Sequence, residues 1–236
     1  FLIHRLTGGK SHVTEASNAS RTLAYNIEKG EWDPELIDIL GIPNSDCLPE
    51  VKNSASDFGV TLGLRFLPNG ISINGVLGDQ QAALAGQTCF EVGEAKCTYG
   101  TGAFLLLNTG KEKLTSNHGL LTTVAWQLGG ERTYAFEGAS FIAGASVQFL
   151  RDQFNMLESA PESEAMAEDS TAAPEVYFVP ALAGLGAPYW NPNARGSFMG
   201  LTRGTTKNQI ARAALEGMAF QVRDLIESMK ADFDAP

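Results

Sequence analysis

The sequence is short of cysteine, of positive charge and of long apolar runs, and each shortage excludes something. Its three cysteines are Cys47, Cys89 and Cys97. The number is odd and none forms a CxxC pair, which argues against a disulfide framework or a structural zinc site and fits a reducing cytosol. Lys and Arg number 17 against 27 Asp and Glu, a formal charge of −10. A protein that grips nucleic acid through a basic face is therefore not expected, although backbone N–H groups can still recognise phosphate in an acidic chain. No apolar run approaches the ~20 residues of a membrane span. His4, His12 and His118 lack metal-ligand spacing, and His12 and His118 read as exposed or loop-bound. There is no GxxxxGK[ST] loop, and Gly100-Thr101-Gly102 lacks the third glycine of a Rossmann fingerprint. No repeat recurs at a period of ~20–50 residues.

What remains is an ordinary globular composition: 236 residues, 44% hydrophobic and 19% charged, enough for one large domain or parts of two. The chain opens at Phe1 inside an apolar stretch without the layout of a signal peptide. It closes just after a strong helical pattern. Two readings of these ends stay open, a piece of a longer protein or a small domain with a trimmed terminus.

Thr22–Ile27 and Pro34–Leu40 are short helix candidates, the second with Asp33 as N-cap, Pro34 in its first turn and Gly41 as its stop. The β-branched content of Gly70–Leu77 predicts a strand. Gln80–Gln87 reads as a helix of small residues suited to a crowded interface. From Ala95 the pattern turns to hairpins: Lys96–Tyr99 and Ala103–Asn108 around Gly100-Thr101-Gly102, then Leu120–Leu128 and Thr133–Glu137 around Gly129-Gly130, in one sheet. Ser140 is expected to cap a helix carrying the stripe Ile142, Val147, Phe149, Leu150 and Phe154. The acidic stretch Glu158–Pro174 reads as an exposed loop or short surface helix, and Val176–Val179 as a strand ended by Pro180. A last helix, Lys207–Met229, is capped by Thr206, with an apolar face of Ile210, Ala214, Met218, Val222, Leu225, Ile226 and Met229. The order predicts a mixed α/β protein, with a change of pattern near residue 88 as the candidate domain boundary.

Four motifs can carry chemistry, and each has a plainer reading beside it. Asp79 follows a predicted strand and precedes a helix. It is placed either as a general base for a substrate hydroxyl or as a simple helix cap. Gly100-Thr101-Gly102 makes a turn whose N–H groups and Thr101 hydroxyl can cradle a phosphate, or an ordinary hairpin turn. Gly144 lets a ligand or a backbone come close to a helix, with Gln148 one turn on along the same face. Pro180–Trp190, followed by Arg195–Leu201, is a rigid loop that forms either a substrate wall or a cover over the core.

Together the motifs resemble the FGGY carbohydrate kinase family, in its glycerol-phosphorylating branch. The resemblance rests on Gly78-Asp79-Gln80-Gln81-Ala82-Ala83-Leu84, Thr98-Tyr99-Gly100-Thr101-Gly102 and Asn108-Thr109-Gly110. His12-Val13-Thr14, Asn18-Ala19-Ser20-Arg21-Thr22, Glu137-Gly138, Ala143-Gly144-Ala145-Ser146 and Gly184–Trp190 extend it. So does the family's second signature, Gly196–Leu201 through Gln209-Ile210 to Ala213–Glu216. The matches are collinear over nearly the whole chain.

The resemblance implies an α/β fold of the ribonuclease H-like, actin-like ATPase type, with residues 1–87 the end of a first, substrate lobe and 88–236 the start of a second, nucleotide lobe. It implies ATP-dependent phosphoryl transfer to glycerol giving glycerol 3-phosphate, with Mg2+ bridging the phosphates. It also implies a cytoplasmic homo-oligomer with neither nucleic-acid partner nor membrane span. By the same resemblance Asp79 is the base, Gln80 holds the polyol, Phe104 walls its carbon backbone, Thr101 and Gly102 form the phosphate turn, and Gly144 and Gln148 touch the nucleotide. No residue is assigned to the metal.

Several family features are absent from these 236 residues: the Asp-x-Gly-Thr-x-Ser phosphate loop, the Arg-Glu polyol clamp and the Gly-rich adenine segment. The segment by itself is thus expected to lack useful kinase activity. Gly59–Gly70 also lacks the Gly-rich, Arg-bearing loop used for sugar-phosphate regulation, so that regulation is not carried over. Another FGGY sugar or sugar-alcohol kinase, or a non-catalytic actin-like nucleotide-binding module, are the alternatives; the Gln pair after Asp79 and the Ala-Pro-Tyr-Trp loop favour glycerol, and the retained Asp79 speaks against the last.

Overall fold

The structure is a computed structural model that describes residues 1–170 and 176–233. The chain falls into two compact units. Unit 1 is Phe1–Glu94 with Leu107–Thr115 and Thr122–Phe136, and unit 2 is Ala95–Leu106 with Ser116–Leu121 and Glu137–Pro236.

Unit 1 is built from short pieces. Helix α1 (Leu2–Leu6) leads to strand β1 (Val13–Glu15) and to a single helical turn, α2 (Ala16–Ala19). A minimal hairpin of β2 (Tyr25–Asn26) and β3 (Glu31–Trp32) follows, then α3 (Pro34–Ile39) and β4 (Glu50–Lys52), which pairs in parallel with β1. Helix α3 starts as the sequence predicts: Asp33 accepts from the N–H of Glu35 and Leu36, and Pro34 sits in the first turn. Thr22–Ile27 is not helical. Leu23 takes a φ of 62°, and Tyr25 is drawn into the hairpin, where its ring meets Trp32 edge-on at 5.6 Å; this tertiary contact overrides a weak local propensity.

Gly70–Leu77 is extended but is not a strand. It bonds back to 54–61 at separate points, Phe58 N to Ile73 O, Thr61 N to Ile71 O and Val76 N to Ser54 O, with isolated bridges at Val60–Ser72 and Ala55–Gly75. Helix α4 (Asp79–Gly86) then buries Gln81 and Leu84. The crowding expected of its small residues is not found on unit 1, where Ala82 is exposed and a side chain at Gly86 would meet nothing within 4 Å.

The long strands form one four-stranded sheet in the order β5-β6-β8-β7. These are β5 (Ala95–Tyr99), β6 (Ala103–Gly110), β7 (Leu121–Leu128) and β8 (Glu131–Ser140). Both predicted hairpins are present. Gly129 and Gly130 turn the second with φ of 58° and 86°, the pair of positive values a two-residue turn of this hand requires.

In unit 2, α5 (Gly144–Asp152), α6 (Glu162–Glu168), β9 (Tyr177–Val179), β10 (Ser197–Met199) and α7 (Lys207–Asp232) complete the chain. The acidic stretch thus holds a surface helix, and its end at 171–174 lies outside the described residues. The core joins Val147 and Leu150 of α5 to Phe178 of β9 and Ala213 and Ala214 of α7, and Phe178 stacks on Phe198 at 4.4 Å. Thr206 and Gln209 close a capping box on α7. Ile226, placed by its spacing on the apolar face, is exposed. Ser140 is not a cap: it ends β8, and Ala143 precedes α5.

Candidate functional site

In unit 1, Asp79 is the first residue of α4, and the N-cap position belongs to Gly78. The Asp79 carboxylate is exposed and accepts from the N–H of Gln80 at 2.8 Å, with the Gln80 side-chain amide at 3.4 Å from its other oxygen. A carboxylate in the first turn is favoured by the helix dipole. The cap reading therefore fails in its simple form. The group stands outward at the start of a helix, where a ligand hydroxyl can be placed against it.

In unit 2, the turn and the helix after it are locked together. The carbonyl of Gly100 accepts from Gly144 N at 2.9 Å, and that of Thr101 accepts from Ala143 N at 2.7 Å and Ala145 N at 3.2 Å. A Cβ on Gly144 would lie 2.6 Å from Gly100 O, and one on Gly102 2.5 Å from Ser140 O. Both glycines are thus required by close backbone packing. The consequence for phosphate binding is specific. The first amides of α5 are already used by the turn, and the Thr101 side chain stands exposed at its tip as a hydroxyl donor beside the turn's own backbone. Gln148 is exposed on α5, one turn beyond Gly144.

Phe104 is half-buried on β6, and its carbonyl accepts from Lys96 Nζ at 3.4 Å. Lys96 is buried beneath this segment and also reaches Thr98 Oγ1 at 2.9 Å. Burial pushes the Cys97 thiol and the Tyr99 phenol up, so neither is ionised beside the turn near neutral pH. The Pro180–Trp190 loop is tied down at three points. Ala187 N bonds Ala139 O at 3.0 Å, Trp190 Nε1 bonds Gly119 O at 2.6 Å, and the Tyr189 hydroxyl donates to Asp224 at 2.9 Å.

Sequence reasoning missed two features. One is buried Lys96, whose signal was an inward Lys–Thr alternation in a strand. The other is the buried carboxylate of Glu15 with Ser17 and Ser54 around it, for which spacing carried no signal because Ser54 lies far along the chain. Among the described residues no group of three or more His, Cys, Asp and Glu side chains could hold a metal ion. None of their helices is long and apolar enough to cross a membrane.

A two-unit α/β chain with these elements has the ribonuclease H-like, actin-like ATPase fold of the carbohydrate kinases. The chain belongs to the FGGY family of carbohydrate kinases: the family's N-terminal domain matches residues 1–86 and its C-terminal domain residues 95–236. A glycerol kinase of Myxococcus xanthus is 55% identical over 98% of the chain and one of Bdellovibrio bacteriovorus is likewise 55% identical over 98%; the chain covers 47% of each. A crystal structure of Plasmodium falciparum glycerol kinase with ADP is similar at a TM-score of 0.86 and 40% identity, over 98% of the chain and 46% of that structure. The chain therefore spans about half the length of the relatives it matches.

Proposed function

We propose that the whole protein transfers the terminal phosphoryl group of ATP to glycerol, giving glycerol 3-phosphate. The observation that carries this reading is the exposed carboxylate of Asp79 at the head of α4, in a chain 55% identical over 98% of its length to proteins named glycerol kinase. Phosphoryl transfer asks a protein chiefly for positioning and for charge stabilisation. In this reading Asp79 takes the proton from the attacking glycerol hydroxyl, Gln80 holds a second hydroxyl, and Phe104 faces the carbon chain. Thr101 donates its hydroxyl to a phosphate oxygen at the turn that Gly102 tightens, and Gln148 meets the nucleotide beside Gly144.

The fit to a nucleotide is supported by the exposed Thr101 tip, held rigid by the amides of Ala143, Gly144 and Ala145. Mg2+ bound to the phosphates would neutralise charge on the transferring group; no residue of the chain is assigned to it. The same proposal takes residues 1–87 as part of the substrate lobe and 88–236 as part of the nucleotide lobe of a cytoplasmic homo-oligomer.

An assay of ADP release by the whole protein over a panel of polyols and ketoses tests the reading. Glycerol should give by far the highest kcat/KM. A preference for a pentulose, or no glycerol-dependent ADP, would overturn it.

A further inference from the structure

The elements around Asp79 show how its position is fixed. Glu15 is fully buried at the end of β1, and its carboxylate accepts four hydrogen bonds. One oxygen accepts from the Ser17 hydroxyl at 2.6 Å, Asn18 N at 3.2 Å and Asn18 Nδ2 at 3.3 Å; the other accepts from the Ser54 hydroxyl at 2.5 Å. A hydroxyl has a single proton to give. Because Glu15 takes the proton of Ser17, the Ser17 oxygen faces outward as an acceptor, and it receives the N–H of Gly78 at 2.9 Å. The Ser54 oxygen is polarised in the same way, but it receives Gln127 N at 2.9 Å instead. A second arm leaves the same turn of chain: the Ser20 and Thr123 hydroxyls meet at 3.0 Å, and Gln81 Nε2 donates to Thr123 at 3.3 Å. Gly78 and Gln81 are both buried, while Asp79 between them is exposed.

We propose that Ser17, oriented by Glu15, is the positioning residue for Asp79: by accepting the Gly78 N–H it fixes the joint from which α4 presents the base. This rests on the reading of Asp79 as the base. Among the described residues Asp79 is bonded within its own first turn, so its aim depends on the backbone before it, where Ser17 receives the N–H of the adjoining Gly78. Small misplacements of a reacting group are expensive: about 1 Å can lower turnover about 10²-fold. Ser54 supplies an internal control, since it binds the same carboxylate without touching Gly78.

The test compares Ser17→Ala, Ser17→Cys, Ser54→Ala and Asp79→Asn in the whole protein, by steady-state kinetics with glycerol and MgATP beside thermal melts. Ser17→Ala and the near-isosteric Ser17→Cys should each lose about ten-fold or more in kcat with KM for ATP unchanged. Ser54→Ala should melt lower but keep its kcat. Normal kcat in the Ser17 variants with an inactive Asp79→Asn would overturn the positioning role alone, as would equal kcat losses in the Ser17 and Ser54 variants. A fully active Asp79→Asn would remove the base, and the positioning role with it. If the Ser17 variants do not fold, amide hydrogen exchange of the unmodified protein decides: a slow Gly78 N–H is expected, and one exchanging at the rate of a free loop amide overturns the proposal.

Discussion

Aspartate and asparagine side chains occupy nearly the same space, and this makes Asp79→Asn informative. Gly78, not Asp79, holds the cap position of α4, so the substitution removes only the carboxylate's favourable place at the start of the helix, about 0.3–1 kcal/mol, and should lower the melting temperature slightly at most. Loss of the proton acceptor should fall on kcat, by roughly 10²–10⁴-fold on the usual scale for a general base. Binding of ATP should hardly change. Steady-state kinetics and a melt on the same preparation check both halves.

A second residue carries a pH signature. Asp232, at the end of α7, has a nearly buried side chain that accepts from the Ser116 hydroxyl, from Asn117 N and His118 N, and meets His118 Nδ1 at 2.7 Å. Burial alone pushes its carboxyl up, but these bonds outweigh it and hold the group below the ordinary aspartate value. A depressed carboxyl stabilises the fold fully above its unfolded value of about 3.9, and that contribution is lost as pH falls through the lower folded value. Asp232→Asn should therefore melt below the parent at pH 7, with the gap shrinking as the pH drops below about 4.

At the scale of elements, turns and caps were legible in the sequence because their chemistry is local. Gly129-Gly130 named its hairpin, Asp33-Pro34 its helix, and Thr206 with Gln209 the start of α7. Thr206→Ala should cost about 1 kcal/mol, read from a denaturant or thermal melt. What the sequence hid depends on partners far along the chain. The β-branched content of Gly70–Leu77 promised a ladder, but its partner at 54–61 offers only separate bonds. Gly144 looked as much like a ligand contact as a packing contact. The carbonyl of Gly100 settles its packing role, because a methyl group at Gly144 would run into backbone. Gly144→Ala should destabilise unit 2 by about 1–3 kcal/mol, as overpacking does, in a melt without nucleotide. An unchanged melt would leave the glycine only a ligand-side role.

For the whole molecule, Asp79 belongs to one compact unit and Thr101, Phe104 and Gln148 to the other. Collinear motifs along the chain marked both sets as candidates, whereas buried Glu15 and Ser17 went unmarked, because burial is set by partners far along the chain and no motif encodes it. The division gives a separable prediction. A ligand that binds only the folded state stabilises it by mass action, about 2.7 kcal/mol at a hundred times its dissociation constant. ADP should raise the melting temperature of the whole protein. Thr101→Ala should shrink that shift and Asp79→Asn should leave it intact, as thermal-shift titrations can show.

The link between the Gly100–Gly102 turn and α5 also bears on protein engineering. Three amides of one segment are spent on two carbonyls of the other, and the glycines permit backbone to touch backbone. Residues 100–102 transplanted alone into a new scaffold would arrive without the donors that hold their shape. The transferable module is the pair of segments, 100–102 with 143–145, and a library that randomises one of them without the other would mostly sample broken turns.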